Sequence, residues 1–129
     1  MQLPEITNEV LGSPKKLTPA VLQVAHMLGM YHAELARVLG LNCTDIGEFT
    51  SIRKFLQPGT HAWQQAVLFI RFYQSLYLLM RGEESAMCHW LRAGSCELNG
   101  VPLLLIVDDQ QLSVVLEYLQ SRLPGCETG

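Results

Sequence analysis

The sequence predicts an all-α protein organised around one long central helix. Its 129 residues are 49% hydrophobic, which is enough for one compact core shared by closely packed helical units. Apolar residues between positions 60 and 82 recur at steps of three and four, which is the spacing of one helix face. Shorter stretches with the same period lie on both sides of it. We therefore expect one helical unit before the central helix and another after it.

The predicted central helix spans residues 60–82. Pro58 and Gly59 break the chain before it, and Thr60 can accept a backbone N–H as the N-cap. Gly82 can adopt the left-handed conformation that ends a helix. Interrupting glutamine and arginine side chains argue against a membrane span, since hydrocarbon would leave them unpaired. The stripe expected to face the core consists of Trp63, Ala66, Val67, Ile70, Tyr73, Leu76, Tyr77 and Met80.

Residues 1–16 are predicted to be a flexible arm, because they contain two prolines and one glycine and show no sustained period. A unit over residues 17–59 follows. Its first helix is expected to begin with Thr18 as the N-cap and Pro19 at the first helical position. It ends near Gly29, and a second helix runs over residues 31–39.

A turn and a third helix complete this unit. Ala36 is small enough for two helices to cross closely, and Gly40 can adopt the positive φ of a tight turn. Asn42 or Thr44 is expected to cap the third helix, which stops at Pro58. The residues expected on its inner face are Ile46, Phe49, Ile52 and Phe55. The stretch HAELARVLGLNCTDIGEF resembles the helix-turn-helix of Xre-type repressors. Ordinary helical hairpins show the same pattern.

Residues 83–129 are predicted to form a small helical C-terminal domain. A short helix opens it, with Ala86, Met87, Trp90 and Leu91 facing inward. Residues 93–100 are rich in turn formers. The apolar residues 103–107 have strand propensity, but a single strand would lack a partner, so a short helix from Pro102 is favoured. Asp108 or Asp109 is expected to cap a last helix, whose inward residues are Leu112, Val115, Leu116 and Leu119.

Composition and motifs give no indication of an enzyme. The net charge of −3 offers no whole-chain attraction for nucleic acid. Four cysteines lack paired spacing and four histidines are scattered, so we expect no metal site, no cofactor and no catalytic residue. The beginning of the chain lacks the basic and apolar regions of a signal peptide, which predicts a cytoplasmic protein.

The stretch HWLRAGSCELNGVPLLLI, with the later helix VVLEYLQSRL, resembles the toxin-binding domain of Xre/MbcA/ParS-type antitoxins. The resemblance rests on Trp90–Leu91, on Leu98 and Gly100, and on Pro102 followed by apolar residues. That family joins this domain to an Xre-like helical unit. Two departures affect the loop surface: Ala93–Gly94 stands where the family usually has a proline, and Leu104 stands where it usually has a polar residue.

The resemblance implies an antitoxin of a type II toxin–antitoxin system. Such a protein binds and occludes a cognate toxin, commonly a RES-type enzyme that consumes NAD, and represses its own operon through DNA binding. The alternative is an orphan dimeric helical interaction module without DNA-binding activity. The expected toxin-binding residues lie in the loop after Trp90 and on the last helix, and they are Arg92, Ser95, Glu97, Asn99, Glu117, Gln120 and Arg122.

The expected DNA-binding residues are Asn42, Thr44, Glu48 and Ser51, with Arg53 and Lys54 placed to reach phosphates. Arg37, Lys15 and Lys16 are further candidate phosphate anchors. Asp45 and Glu48 put two carboxylates on the same helix, which predicts weak, salt-sensitive operator binding that depends on a dimer. A homodimer is expected because four large apolar residues lie off the main stripe of the central helix, namely Leu68, Phe69, Phe72 and Leu79.

Overall fold

A computed structural model describes residues 12–123, and this part of the chain is entirely α-helical apart from turns and one isolated bridge. The all-α prediction is thereby confirmed. None of the helices in this range is long and apolar enough to cross a membrane. The seven helices of residues 12–123 are α1 (Pro14–Met27), α2 (His32–Leu39), α3 (Cys43–Thr50), α4 (His61–Leu79), α5 (Glu84–Arg92), α6 (Pro102–Val107) and α7 (Leu112–Arg122).

The central helix α4 holds the two ends of the fold together. It packs most extensively against α7 on one side, and against α1 and α2 on the other. As predicted, Thr60 is its N-cap, and the Thr60 hydroxyl accepts the Trp63 N–H at 3.1 Å. The helix ends at Leu79, and Arg81 and Gly82 follow with positive φ. Its buried residues are Ala62, Ala66, Phe69, Ile70, Phe72, Tyr73, Ser75 and Leu76.

The buried face of α4 differs from the predicted stripe. Phe69 and Phe72, expected off the stripe, are fully buried, and their rings stack with centroids 6.2 Å apart. Residues expected inside are only half-buried, namely Trp63, Val67, Tyr77 and Met80. The reason is that α1, α2 and α7 enclose α4 from several directions, so one stripe does not describe its burial. Phe69 and Phe72 therefore give no support to the predicted homodimer, which stays a prediction.

The first helix begins earlier than predicted. Its N-cap is Ser13, not Thr18, and Pro14 occupies the first turn, while Pro19 lies inside the helix. The Thr18 hydroxyl donates to the Pro14 carbonyl at 2.8 Å and accepts the Leu56 N–H at 2.9 Å, so it links two segments instead of capping one. Positions 14–16 of the predicted arm are thus helical, and positions 1–11 lie outside the described residues.

The inner face of α3 is shorter than predicted. Ile46 and Phe49 are buried as expected, but α3 ends at Thr50. Ile52 has a φ of +61° and is 73% exposed, so it does not continue that face. Phe55 is half-buried. The chain leaves the helix here because Leu56, bonded to Thr18, is pulled into the core at 2% exposure.

The C-terminal helices confirm one prediction and correct another. Residues 102–107 are a helix that begins at Pro102, and all four predicted inward residues of α7 are buried. The N-cap of α7 is Gln111, so neither Asp108 nor Asp109 caps it. Asp108 is instead the C-cap residue of α6, and its carboxylate pairs with Arg37 of α2 at 2.9 Å.

Tyr73 carries a buried hydroxyl that has no hydrogen-bond partner among residues 12–123. Burial, with smaller contributions from Tyr77 and Glu84, raises its pKa to about 12. An unpaired buried hydroxyl costs about 1–3 kcal/mol, so Tyr73→Phe is expected to raise the free energy of unfolding by roughly 1 kcal/mol in urea titrations at neutral pH. Tyr118→Phe, which removes a bonded hydroxyl, is the control and gives no gain.

The same pair of variants tests the raised pKa. Between pH 10 and 12 the folded protein keeps the Tyr73 proton that the unfolded chain releases, so the free energy of unfolding falls as the pH rises. We expect the stability of the Tyr73→Phe protein to fall less across this range than that of the wild type. A Tyr73→Phe protein that is less stable at neutral pH would show that the hydroxyl is satisfied.

Candidate functional site

The turn between α2 and α3 has the features expected of a helix-turn-helix. Gly40 ends α2 in the left-handed conformation with φ +74°, and the Leu41 N–H donates to the Ala36 carbonyl at 2.8 Å. Ala36 is 2% exposed, which lets the helices approach closely. A Cβ at Gly40 would also lie 3.2 Å from the His61 ring, which is a tight contact, and the positive φ is itself strained for residues with a side chain.

The first turn of α3 uses two of its polar side chains for capping. The Asn42 side-chain oxygen accepts the Asp45 N–H at 2.9 Å, and the Asp45 carboxylate accepts the Asn42 N–H at 3.3 Å. Asn42 is thus the N-cap, and its side-chain oxygen is engaged within the helix. Thr44 and Ser51, two of the predicted DNA-binding residues, are exposed.

Lys54 is held by carboxylates of α3. Its ammonium group lies 2.8 Å from Asp45 and 4.0 Å from Glu48. The hydrogen bond from Lys54 lowers the pKa of Asp45, and the same bond raises the pKa of Lys54. Both groups are therefore charged at neutral pH, and the carboxylates offset the attraction of Lys54 for phosphate. Arg53 is exposed.

Arg37 is also paired, although it belongs to a different helix. Its guanidinium contacts Asp108 at 2.9 Å, and the two side chains are 60% and 46% exposed. Two of the predicted phosphate anchors, Arg37 and Lys54, thus have carboxylate partners in the folded protein. Lys15 and Lys16 lie exposed in the first turns of α1. The candidate DNA surface accordingly carries little excess positive charge.

The loop between α5 and α6 is closed on itself. Ser95 and Gly100 form an isolated antiparallel bridge with two backbone hydrogen bonds of 2.8 and 3.1 Å. The Ser95 hydroxyl also accepts the Leu98 N–H at 3.3 Å. Asn99 turns the chain with a φ of +58°, a conformation that asparagine tolerates better than most residues. Residues 95–100, which we call the bridged loop, therefore have a defined shape.

The bridged loop is joined to α7 by one glutamate. The Tyr118 hydroxyl donates to Glu97 at 2.5 Å, and Arg122 forms an ion pair with the same carboxylate. The Arg122 guanidinium also lies over the Tyr118 ring, 5.1 Å from its centroid. The structure thus brings together Glu97 and Arg122, two of the residues predicted to bind a partner. Glu117 and Gln120 are exposed on the same helix.

Two outcomes differ from the predicted partner surface. Arg92 faces the turn after α1, where its guanidinium donates to the Gly29 carbonyl at 2.8 Å. The guanidinium also donates to the Cys88 carbonyl of its own helix, α5, at 3.2 Å. It therefore connects the two units and lies apart from the Glu97 contacts. Tyr118 was not predicted, although its spacing of four residues from Arg122 places both on one face of α7.

The part of the chain that the structure describes contains no group of three or more histidine, cysteine or acidic residues able to hold a metal ion. A comparison with models of known protein families gives no match, and a comparison with curated proteins gives none either.

The link between the bridged loop and α7 is expected to protect the amides of the loop from hydrogen exchange. Glu97→Ala removes both the ion pair and the Tyr118 hydrogen bond. Hydrogen exchange at the Ser95 and Gly100 amides is expected to accelerate by about three- to tenfold, while the free energy of unfolding changes by less than about 1 kcal/mol. Glu117→Ala, an exposed glutamate on α7, is the matched control. Equal exchange rates in the two variants would mean that Glu97 does not hold the loop.

Proposed function

We propose that this protein is a protein-binding antitoxin that occludes its cognate toxin with the bridged loop and the exposed face of α7. The resemblance to Xre/MbcA/ParS-type antitoxins suggests this class. The observation that carries the proposal is the joining of Glu97 to Tyr118 and Arg122, which makes one continuous surface from two segments distant in sequence.

This surface suits a partner because it is ordered before binding. The Ser95–Gly100 bridge closes the loop, and Leu91 and Pro102 on either side of it are buried. A loop that is already ordered loses less conformational entropy on association, so more of its contact energy contributes to affinity. Exposed polar groups at Glu97, Asn99 and Gln120 supply hydrogen-bonding partners. A rigid polar loop of this kind suits the blocking of an active-site cleft.

The toxin class follows from the resemblance alone. Antitoxins of this family commonly inhibit RES-type toxins, which consume NAD, and we propose such an enzyme as the partner. The departures at Ala93, Gly94 and Leu104 alter the loop and its surroundings, so they bear on which toxin fits. Leu104 is 50% exposed and adds an apolar contact next to the polar loop.

We further propose that the helix-turn-helix represses the protein's own operon weakly. The tight turn at Gly40 and the exposed Thr44 and Ser51 support base reading by α3. Pairing of Lys54 and Arg37 with carboxylates supports low affinity and strong salt dependence. A homodimer would double the number of basic side chains that reach the duplex.

The second candidate function is a dimeric helical interaction module without DNA binding. The observation that favours it is that two carboxylates of α3, Asp45 and Glu48, surround the single ammonium group of Lys54, so this group of three side chains has a net negative charge that repels phosphates. This alternative is an orphan module that has neither a cognate toxin nor an operator. The two proposals therefore differ in both toxin binding and DNA binding.

The partner surface is tested by charge reversal on α7. Removal of the helix is unsuitable, because Val115, Leu116 and Leu119 belong to the core. Glu117→Lys with Gln120→Lys changes only exposed side chains and is expected to weaken binding to the toxin encoded beside the gene by tenfold or more in titration calorimetry, or roughly 1.4 kcal/mol. Gln64→Lys on the exposed side of α4 is the control and keeps full affinity. Unchanged binding by the α7 variant would refute the assignment.

DNA binding is tested by gel shift against the protein's own promoter at low salt. Wild-type protein, alone or with toxin, is expected to shift the promoter, and Arg53→Ala with Lys54→Ala to weaken the shift by about tenfold. The affinity should fall steeply as salt is added. If wild-type protein leaves the promoter unshifted under all these conditions, the interaction module without DNA binding is the correct alternative.

A further inference from the structure

The turn between α6 and α7 is fastened to the end of α2. The Asp108 carboxylate pairs with the Arg37 guanidinium at 2.9 Å, and the Gln110 side-chain amide donates to the Arg37 carbonyl at 2.8 Å. Arg37 is thus held through both its side chain and its backbone. We call this set of contacts the Arg37 clamp, formed by Arg37, Asp108 and Gln110.

The conformation of the turn is suited to this contact. Gln110 has a φ of +56°, which is uncommon for a residue other than glycine, asparagine or aspartate. Its side-chain amide also donates to the Val107 carbonyl at 3.3 Å, and the next N–H, from Gln111, donates to the Leu105 carbonyl at 2.9 Å. The turn therefore directs Gln110 back onto α2 at the cost of an unfavourable backbone conformation.

Arg37 stands where a helix-turn-helix meets the phosphate backbone. The second helix of such a motif enters the major groove, and the first helix crosses the backbone. In this protein α2 is the first of the two and α3 the second, with Gly40 in the turn between them. A carboxylate on Arg37 competes directly with a phosphate for the same guanidinium.

We infer that the Arg37 clamp is an autoinhibitory contact that lowers the affinity of the helix-turn-helix for DNA. The inference rests on the proposed DNA binding and concerns its regulation. Both side chains of the pair are about half exposed, so the contact is weak enough to exchange for a phosphate.

The test measures binding of a short random-sequence DNA duplex at several salt concentrations. Asp108→Asn frees Arg37 and is expected to raise affinity at low salt about three- to fivefold and to steepen the salt dependence by about one phosphate contact. Asp109→Asn removes the same charge one residue away, from an exposed aspartate that forms no ion pair within residues 12–123. This control corrects for the change in net charge.

A second comparison identifies the residue responsible. In the Arg37→Ala background, Asp108→Asn is expected to give no more gain than Asp109→Asn. Equal affinities of the Asp108→Asn and Asp109→Asn proteins, with DNA binding retained, would overturn the clamp and leave the proposed DNA binding intact. If none of the variants binds DNA while circular dichroism shows each to be folded, both the clamp and the proposed DNA binding are overturned.

Discussion

The burial of α4 is the constraint on which the rest of the structure depends. Phe69, Ile70 and Phe72 are fully enclosed, and each large apolar side chain removed from water contributes about 1.5–3 kcal/mol. Because α1 and α2 cover one part of α4 and α7 covers another, burying this helix brings the two units together. The bridged loop and the α2–α3 pair are therefore attached to one shared core.

Polar contacts add connections between the two helical units that this core brings together. Arg92 bonds to Gly29, and Gln110 bonds to Arg37, so each polar contact joins the C-terminal unit to an end of α1 or α2. Such exposed contacts contribute little to stability individually. They instead favour one orientation of the two units, and this orientation determines which face of each unit remains accessible. Glu97 acts in the same way within the C-terminal unit, where it holds the bridged loop against α7.

Most of the fold follows from local rules that the sequence displays. Thr60, Gly40 and Pro102 each mark a helix boundary by their own backbone or capping chemistry, and the structure agrees at all three. The errors arise where a distant contact outweighs local preference. Thr18 resembles an N-cap, but its hydroxyl bonds Leu56 from far along the chain. Asp108 likewise resembles a cap, yet its carboxylate pairs with Arg37.

The candidate partner surface was only partly predictable, because its contacts join residues that are distant in sequence. Glu97 and Arg122 were expected on one surface because both belong to exposed, polar stretches near the end of the chain. Their direct pairing depends on the angle at which α7 packs on α4, which no sequence period encodes. The sequence did not indicate a role for Tyr118, because a half-buried tyrosine on a helix is ordinarily a packing residue. Its hydroxyl contact with Glu97 exists only in the folded protein.

The claim that this surface recognises a partner protein is tested most directly by nuclear magnetic resonance. Isotope-labelled protein is titrated with the product of the gene beside its own, which is the candidate partner, and backbone amide shifts are mapped along the chain. The largest changes are expected in the bridged loop and along the second half of α7, at Glu97, Asn99, Gln120 and Arg122. Changes confined to α1, α2 and α3, with the bridged loop unaffected, would contradict the account.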